Sequence, residues 1–338
     1  MILTVAQLSE SELLERIFPR LHAGTTTLLG PGDDAAIIAA PDARTVISID
    51  TQVQDKDFRL LWPNGATSTG FDVGWKAAAQ NLSDINAMGA IATAMVVSLT
   101  LPSTTPVGWV EDFADGLSAA IVALGAPQCS VAGGDLSGGS ELVVTVAVTG
   151  SLEGRDPVLR SGANAGDQVA VCGNMGFSAA GWALHESSTL PADFTPAMTR
   201  AAGLFARPVP PLAAGPIAAK SGATSMMDIS DGLLRDAARI ATASGVRLDL
   251  DSAVLAAQAR KLEETAVVLG KNPLDWVLTG GEDHSLLSTF PAGRTLPAGF
   301  IRLGSVVSLG ASESAVAIDG QNFKGVVGGA LGWDHFAV

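Results

Sequence analysis

Short β-branched runs alternate with helix-period segments along nearly the whole chain, and this alternation confines it to a mixed fold in which helices cover sheets. The run 45–49 reads as a buried strand ending at Asp50. A helix over about 71–88 follows, with Gly89 placed to end it. Next come a strand (93–101), a helix (106–124), a short strand (129–132) running into Gly133-Gly134-Asp135, and a strand (142–149). Ahead of these, Ser9 and Glu12 form a capping box for a helix carrying Leu13, Leu14, Ile17 and Leu21, and Gly30-Pro31-Gly32 makes a turn. The segment 154–166, rich in Gly, Arg, Asp and Asn, reads as a domain junction. Beyond it, helices near 178–187, 196–205, 211–221 and 232–244 alternate with strands near 168–172, 225–229, 247–250, 285–290, 301–307 and 315–318. A length of 338 residues is long for one core and comfortable for two. The expectation is an α/β (α+β) protein of two domains, 1–152 and 153–338.

Apolar residues make up 47% of the chain and charged residues 16%, a balance that buries large cores and argues against wholesale disorder. The formal net charge is −14. Phosphate backbones are bound by Lys and Arg, so this charge argues against a nucleic-acid partner and against docking on an anionic membrane. The longest apolar stretch, Ala90 to Leu101, is too short to span a bilayer, and the first residues lack a basic leader. Two cysteines, Cys129 and Cys172, are too few for a disulfide framework or a thiolate metal cluster. The chain reads as cytoplasmic.

Acidic residues recur where apolar runs end. Asp33 and Asp34 follow the Gly-Pro-Gly turn, and Asp50 closes VISID. Asp84 lies on KAAAQNLSDINAMG, sharing a helix face with Lys76 and Gln80. Asp135 sits in GGDLSGG, Asp228 and Asp231 flank Ser230 in MMDISDGLL, and Glu282 and Asp283 fall in TGGEDHSLL. Any one of them is equally a turn residue or a helix cap; Asp231, before GLLRDAARI, has N-cap character. As a set they outnumber the cations of the same segments. Burying a lone carboxylate costs on the order of several kcal/mol unless it is paired or binds a metal. Several acids meeting at Mg²⁺ would satisfy that demand. Familiar nucleotide loops are absent: Gly270-Lys271 is followed by Asn272, and there is neither a GxGxxG after the first strand nor an HRD with DFG.

The succession GPGDDAAI, SIDT, KAAAQNLSDINAMGA, AGGDLSGG, LRSGANAGD, MDISDGL, LTGGEDHSL and GWDHF resembles the thiamine-monophosphate kinase family, in the family's order and from about Gly30 to Phe336. That family lies within the aminoimidazole ribonucleotide synthetase-like ATP-binding superfamily. The resemblance implies the superfamily's two-domain fold: an N-terminal domain that binds ATP and metal and dimerises, and a C-terminal α/β domain. It implies a homodimer, ATP in a cleft between the domains, and several Mg²⁺ ions. The implied reaction transfers the γ-phosphoryl of ATP to thiamine monophosphate, giving thiamine diphosphate. Carried over by position, Asp34, Ser48, Asp50, Asp84, Asp135, Asp228 and Asp231 match the family's metal sites. Gly134, Asp135, Arg160 and Ser230 match its ATP contacts, and Glu282 and Trp333 its contacts to the thiamine moiety. Asp57, in QDKDF, stands at a substrate-contact position where the family usually has His. Ile49 and His284 replace the family's usual Thr and Tyr.

These residue types fit that chemistry. A phosphate-monoester acceptor, with a second pKa of about 6, is largely anionic at neutral pH, so the lack of a catalytic His is expected. Arg160 suits a nucleotide phosphate, or a salt bridge at the junction. Trp333 would stack on a thiazolium cation, or anchor the C-terminal segment on the core. Glu282 would hydrogen-bond the aminopyrimidine, or serve as a turn carboxylate. Two further readings stay open: another ATP-dependent enzyme of the superfamily, and a non-catalytic nucleotide or thiamine-phosphate binder, which Asp57 and Ile49 favour.

Overall fold

A computed structural model of the chain describes residues 3–31, 36–322 and 332. The chain divides into two compact units, Met1–Ile85 with Ala90–Arg155, and Asn86–Gly89 with Asp156–Val338. Among the described residues no helix is long and apolar enough to cross a membrane.

The first unit runs α1 (Glu10–Ile17), β1 (Thr27–Leu29), β2 (Ile37–Ile38), β3 (Val46–Val53), α2 (Gly70–Ala87), β4 (Ile91–Leu101), α3 (Val107–Ala123), β5 (Ser130–Gly138) and β6 (Val143–Ser151). Ser9 and Glu12 exchange the two bonds of the capping box ahead of α1. The helix ends at Ile17, with Pro19 just beyond, so Leu21 falls outside it; proline supplies no N–H to carry the ladder on. Strands β3-β6-β4-β5 form one sheet, antiparallel except for the parallel pair β4–β5. On β6, Val144, Val146 and Val148 are buried on one face. The other face carries Ile47 (71% exposed), Ile49 (63%) and Val96, with Ile49 and Val96 both registered on Ala147.

Helices α2 and α3 meet backbone to backbone. A Cβ on Gly74 would lie 2.1 Å from the Phe113 carbonyl oxygen, and one on Gly116 would lie 2.1 Å from that of Phe71. Two glycines, one on each helix, thus set the spacing of the layer above the sheet.

The second unit runs β7 (Gln168–Cys172), α4 (Phe177–His185), α5 (Pro196–Ala206), α6 (Ala214–Lys220), β8 (Ser225–Ile229), α7 (Leu233–Ser244), β9 (Val246–Leu250), α8 (Ser252–Ala259), α9 (Glu263–Leu269), α10 (Pro273–Thr279), β10 (Ser285–Phe290), β11 (Phe300–Ser308), β12 (Val316–Ile318) and β13 (Gln321–Asn322). Its sheet has the order β13-β12-β9-β11-β7-β10-β8, with β9–β12 parallel and the other pairs antiparallel. Both faces are covered. Val169, Val171, Met227, Ile229 and Leu287 join one core cluster with α4 and α7, while Ala170, Met226, Leu286 and Phe290 join another with α6. Burial on both faces explains why these strands read as continuous apolar runs.

Because a new methyl at Gly116 would collide with a main-chain oxygen, Gly116→Ala is expected to cost about 1–3 kcal/mol or more. A fall in the urea midpoint at unchanged slope checks this.

Candidate functional site

In the first unit Ser48, Asp50, Asp57 and Asp84 lie on or beside β3, whereas Gly134 and Asp135 lie on β5, at the opposite edge of the sheet. Strand alternation puts Ser48, Asp50 and Gln52 on the face opposite Ile47 and Ile49. On α2, Lys76, Gln80 and Asp84 form a single ridge, as their spacing predicts. The two rows interlock. Ser48 Oγ donates to Asp84 Oδ2 at 2.5 Å, and Gln52 Nε2 donates to Gln80 Oε1 at 2.8 Å. Lys76 Nζ, buried, donates to the Asp57 carbonyl at 3.1 Å. The Asp57 carboxylate accepts the Val53 N–H at 2.7 Å and so closes the turn after β3, where Asp55 adopts a φ of 64°.

Asp135 lies on β5, an edge strand of the same sheet, exposed, with Ser137 Oγ donating to it at 2.8 Å. The strand expected to end near Ala132 instead continues through Gly133-Gly134-Asp135 to Gly138. Glycine permits this close pairing, since a Cβ on Gly134 would lie 2.0 Å from the Val97 carbonyl oxygen. Near the end of β5, a cavity of about 300 Å³ is lined by Val5, Leu8, Leu13, Leu101, Leu136 and Ser137. Asp34 lies outside the described residues.

In the second unit, β8 is buried along its length and carries Asp228, 4% exposed; Ser230 and Asp231 follow directly. The Glu282 N–H donates to the Ser230 carbonyl at 2.8 Å, and the His284 N–H to the Ile229 carbonyl at 3.0 Å. Gly281 allows that approach, because a Cβ there would fall 2.4 Å from the Ser230 carbonyl oxygen. Asp228, Ser230, Asp231 and Glu282 are thereby brought to one corner. His284 joins them, its Nδ1 3.2 Å from Asp228 Oδ2, both side chains buried. Arg160 is exposed beside the outer edge of β8, where the Leu159 carbonyl accepts the Met226 N–H. Trp333 lies outside the described residues. Its neighbour Gly332 abuts Asp231, whose carbonyl oxygen would be 2.1 Å from a Cβ.

Two buried carboxylates next to this corner have no role assigned from sequence. Asp236, 0% exposed, accepts the N–H groups of Ser230 (3.1 Å) and Asp231 (3.0 Å) and a 2.7 Å bond from Arg239. Burial pushes its carboxyl up to about 6, opposed by the Asp231 N–H and reinforced by the nearby Asp228 charge. Its signal was the helix stripe it shares with Leu233 and Ile240, three and four residues away, an odd place for an acid. Asp283 accepts the N–H groups of Gly176 and of Ser178 (2.9 Å) and so caps α4 from a distant loop. Burial lifts it too to about 6, against those two bonds. Asp231 does not cap α7. Gly232 occupies the cap position without a side-chain bond, and the Asp231 carboxylate is taken by Arg239 at 2.6 Å.

Residues 32–152 match the model for the AIR synthase related protein N-terminal domain, and residues 164–283 that for its C-terminal domain. A thiamine-monophosphate kinase of Mycobacterium tuberculosis is 44% identical over 98% of this chain and 93% of its own. One of Corynebacterium glutamicum is 36% identical over 94% and 91%. The chain belongs to the thiamine-monophosphate kinase family. A solved structure of a thiamine-monophosphate kinase, AaThiL complexed with AMPPCP and TMP, superposes with a TM-score of 0.73 at 27% identity, covering 96% of each chain.

The side chains of Ser48, Asp84, Asp228 and Asp231 carry hydroxyl and carboxylate oxygens, a donor set suited to Mg²⁺, with the His284 imidazole beside Asp228. Among the described residues no three His, Cys, Asp or Glu side chains come together as a metal-holding group. Mg²⁺ is commonly held by one or two carboxylates with water and substrate phosphates, so the Ser48–Asp84 pair and the Asp228–Asp231 corner fit it.

Asp283 has a carboxyl raised in the fold from an ordinary 3.8 to about 6, so the folded protein takes up a proton that the unfolded chain leaves in solution. The associated stability is full below the unfolded value and is lost as pH rises through about 6. Wild-type urea midpoints are expected to gain from this group between about pH 7 and about pH 5. Asp283→Asn should flatten that slope; an equal slope in the variant would assign the effect elsewhere.

Proposed function

We propose that this chain transfers the γ-phosphoryl group of ATP to thiamine monophosphate, giving thiamine diphosphate and ADP, in a Mg²⁺-dependent reaction. The observation that carries the reading is the 44% identity to a named thiamine-monophosphate kinase across 98% of the chain. A terminal oxygen of the acceptor phosphate attacks the γ-phosphorus, the bond to the β–γ bridging oxygen breaks, and ADP leaves with that oxygen. The acceptor is already anionic, so no side chain has to remove a proton. The protein's task is positioning and charge neutralisation.

In the first domain, 1–152, Asp34, Ser48, Asp50, Asp84 and Asp135 are the proposed metal-site residues; in the second, 153–338, Asp228 and Asp231. Bound Mg²⁺ supplies positive charge that offsets the repulsion between the two phosphate groups. Gly134, Asp135, Arg160 and Ser230 contact ATP on this reading. The apolar cavity near the end of β5 has the size and lining for an adenine base. Asp57, Glu282 and Trp333 contact the thiamine moiety. The exposed apolar face of Ile47, Ile49 and Val96 supports a homodimer formed through the first domain. With ATP as donor, the cytoplasm is the proposed compartment.

A coupled ADP-release assay with thiamine monophosphate and Mg²⁺ tests the reading; a pure protein without turnover at millimolar Mg²⁺ would sink it. Asp84→Asn still accepts the Ser48 hydroxyl but loses its charge. It is expected to lower kcat about tenfold or more with little change in urea midpoint. A variant that unfolds instead would assign Asp84 a structural role.

A further inference from the structure

The turn that carries Ser230 and Asp231 is held by a closed ring of contacts in the second unit. Asp236 Oδ2 receives the main-chain N–H groups of both residues. Asp236 Oδ1 receives one terminal nitrogen of Arg239 at 2.7 Å. The other terminal nitrogen of Arg239 reaches Asp231 Oδ2 at 2.6 Å. Arg235 approaches the same oxygen, at 4.0 Å. The ring therefore grips Asp231 twice, at its peptide and at its carboxylate.

A solvated Arg–Asp pair three residues apart on a helix is worth little. This pair differs, because Asp236 is fully buried and spends one oxygen on the backbone of the loop rather than on water. Removing so buried an acceptor would strand two N–H groups. The charges also balance. Asp236 offsets Arg239, so the closed ring of Asp231, Asp236 and Arg239 carries one net negative charge, with Arg235 a second, more distant cation at 4.0 Å. Arg239 can then fix the Asp231 carboxylate without cancelling its attraction for a cation. Both arginine contacts fall on Oδ2 of Asp231.

We propose that Asp236 and Arg239 are positioning residues for the proposed phosphotransfer site, Asp236 setting the Ser230–Asp231 peptide and Arg239 presenting the Asp231 carboxylate to the cation and its nucleotide. This rests on the reading of Asp231 and Ser230 as metal and ATP contacts. Outer-shell partners of a metal ligand commonly govern affinity about 10–100-fold.

The test uses the full-length chain as wild type, Arg239→Met, Arg239→Lys and Asp236→Asn. Calorimetric titration with AMPPCP at fixed Mg²⁺ gives nucleotide affinity, steady-state rates give KM for ATP and kcat, and urea unfolding gives stability. Arg239→Met is expected to weaken AMPPCP binding and to raise the KM for ATP about tenfold or more. Arg239→Lys, which keeps the charge but not the two-pronged grip, should recover part of the loss. Asp236→Asn, if it folds, should resemble Arg239→Met, because Arg239 is then an uncompensated cation beside Asp231. Unchanged affinity and KM in Arg239→Met, with only a lower urea midpoint, would overturn the proposal and leave a purely structural ion pair. A wild-type chain that binds AMPPCP but yields no product from thiamine monophosphate refutes the substrate while leaving this inference testable by its affinities. A wild type that binds no AMPPCP overturns both.

Discussion

An ionised carboxylate taken out of water has to be met by donors or by a cation, and in the second unit this requirement shapes the loops that carry the site. Asp283 and Asp236 are both buried in apolar surroundings, and each is met chiefly by main-chain N–H groups. Asp283 draws its donors from a segment over a hundred residues away, Asp236 from the turn just before its own helix. Asp283 therefore ties the loop before β10 to the start of α4, and Asp236 ties the turn after β8 to α7. Those two ties fix Glu282 on one side and Ser230–Asp231 on the other. The Glu282 N–H bond to the Ser230 carbonyl then joins the two halves of the corner. Backbone conformation follows the same demand: Glu282 and His284 both adopt positive φ, 63° and 52°, on either side of the anchored Asp283.

The first unit solves a related problem with side chains. Asp84 is half-buried on α2 and is met by Ser48 from β3, while Gln80 is met by Gln52 one rung along. The polar ridge of a helix and the polar row of a strand face each other, and two side-chain bonds join them, while Gln52 Oε1 stays buried without a partner. Above them, Gly74 and Gly116 let α2 and α3 approach at main-chain distance. The height of that helical layer is thus set by the lack of a side chain, and the polar ladder beneath it is held in register by the presence of several.

Much of this was legible in the chain. Period-2 and period-3.6 patterns placed most strands and helices within a few residues, because burial writes the same period into both. Lys76, Gln80 and Asp84 were recognisable as one face, and the ladder uses that face. The helices α8, α9 and α10 were not legible. SAVLAAQA carries no polar stripe, and seven-residue helices such as α9 and α10 hold barely two turns of pattern. The extension of β5 through Gly133–Asp135 is hidden in the sequence because glycine more often ends a strand; here it permits close pairing with β4. Asp236 carries a signal only in its place on the apolar stripe of α7, between Leu233 and Ile240; its bonds to the preceding turn have no mark in the sequence.

Strand β3 carries two surfaces with opposite needs. Ser48, Asp50 and Gln52 point one way, Ile47 and Ile49 the other. A strand repeats every two residues, so an insertion or deletion of one residue upstream of Ser48 would exchange the surfaces wholesale. Isoleucines would then confront Asp84 and Gln80, and the carboxylate would be turned onto the open apolar face. The length of this strand is therefore locked by parity: changes by even steps are survivable in principle, while odd steps abolish the polar ladder and the apolar face together.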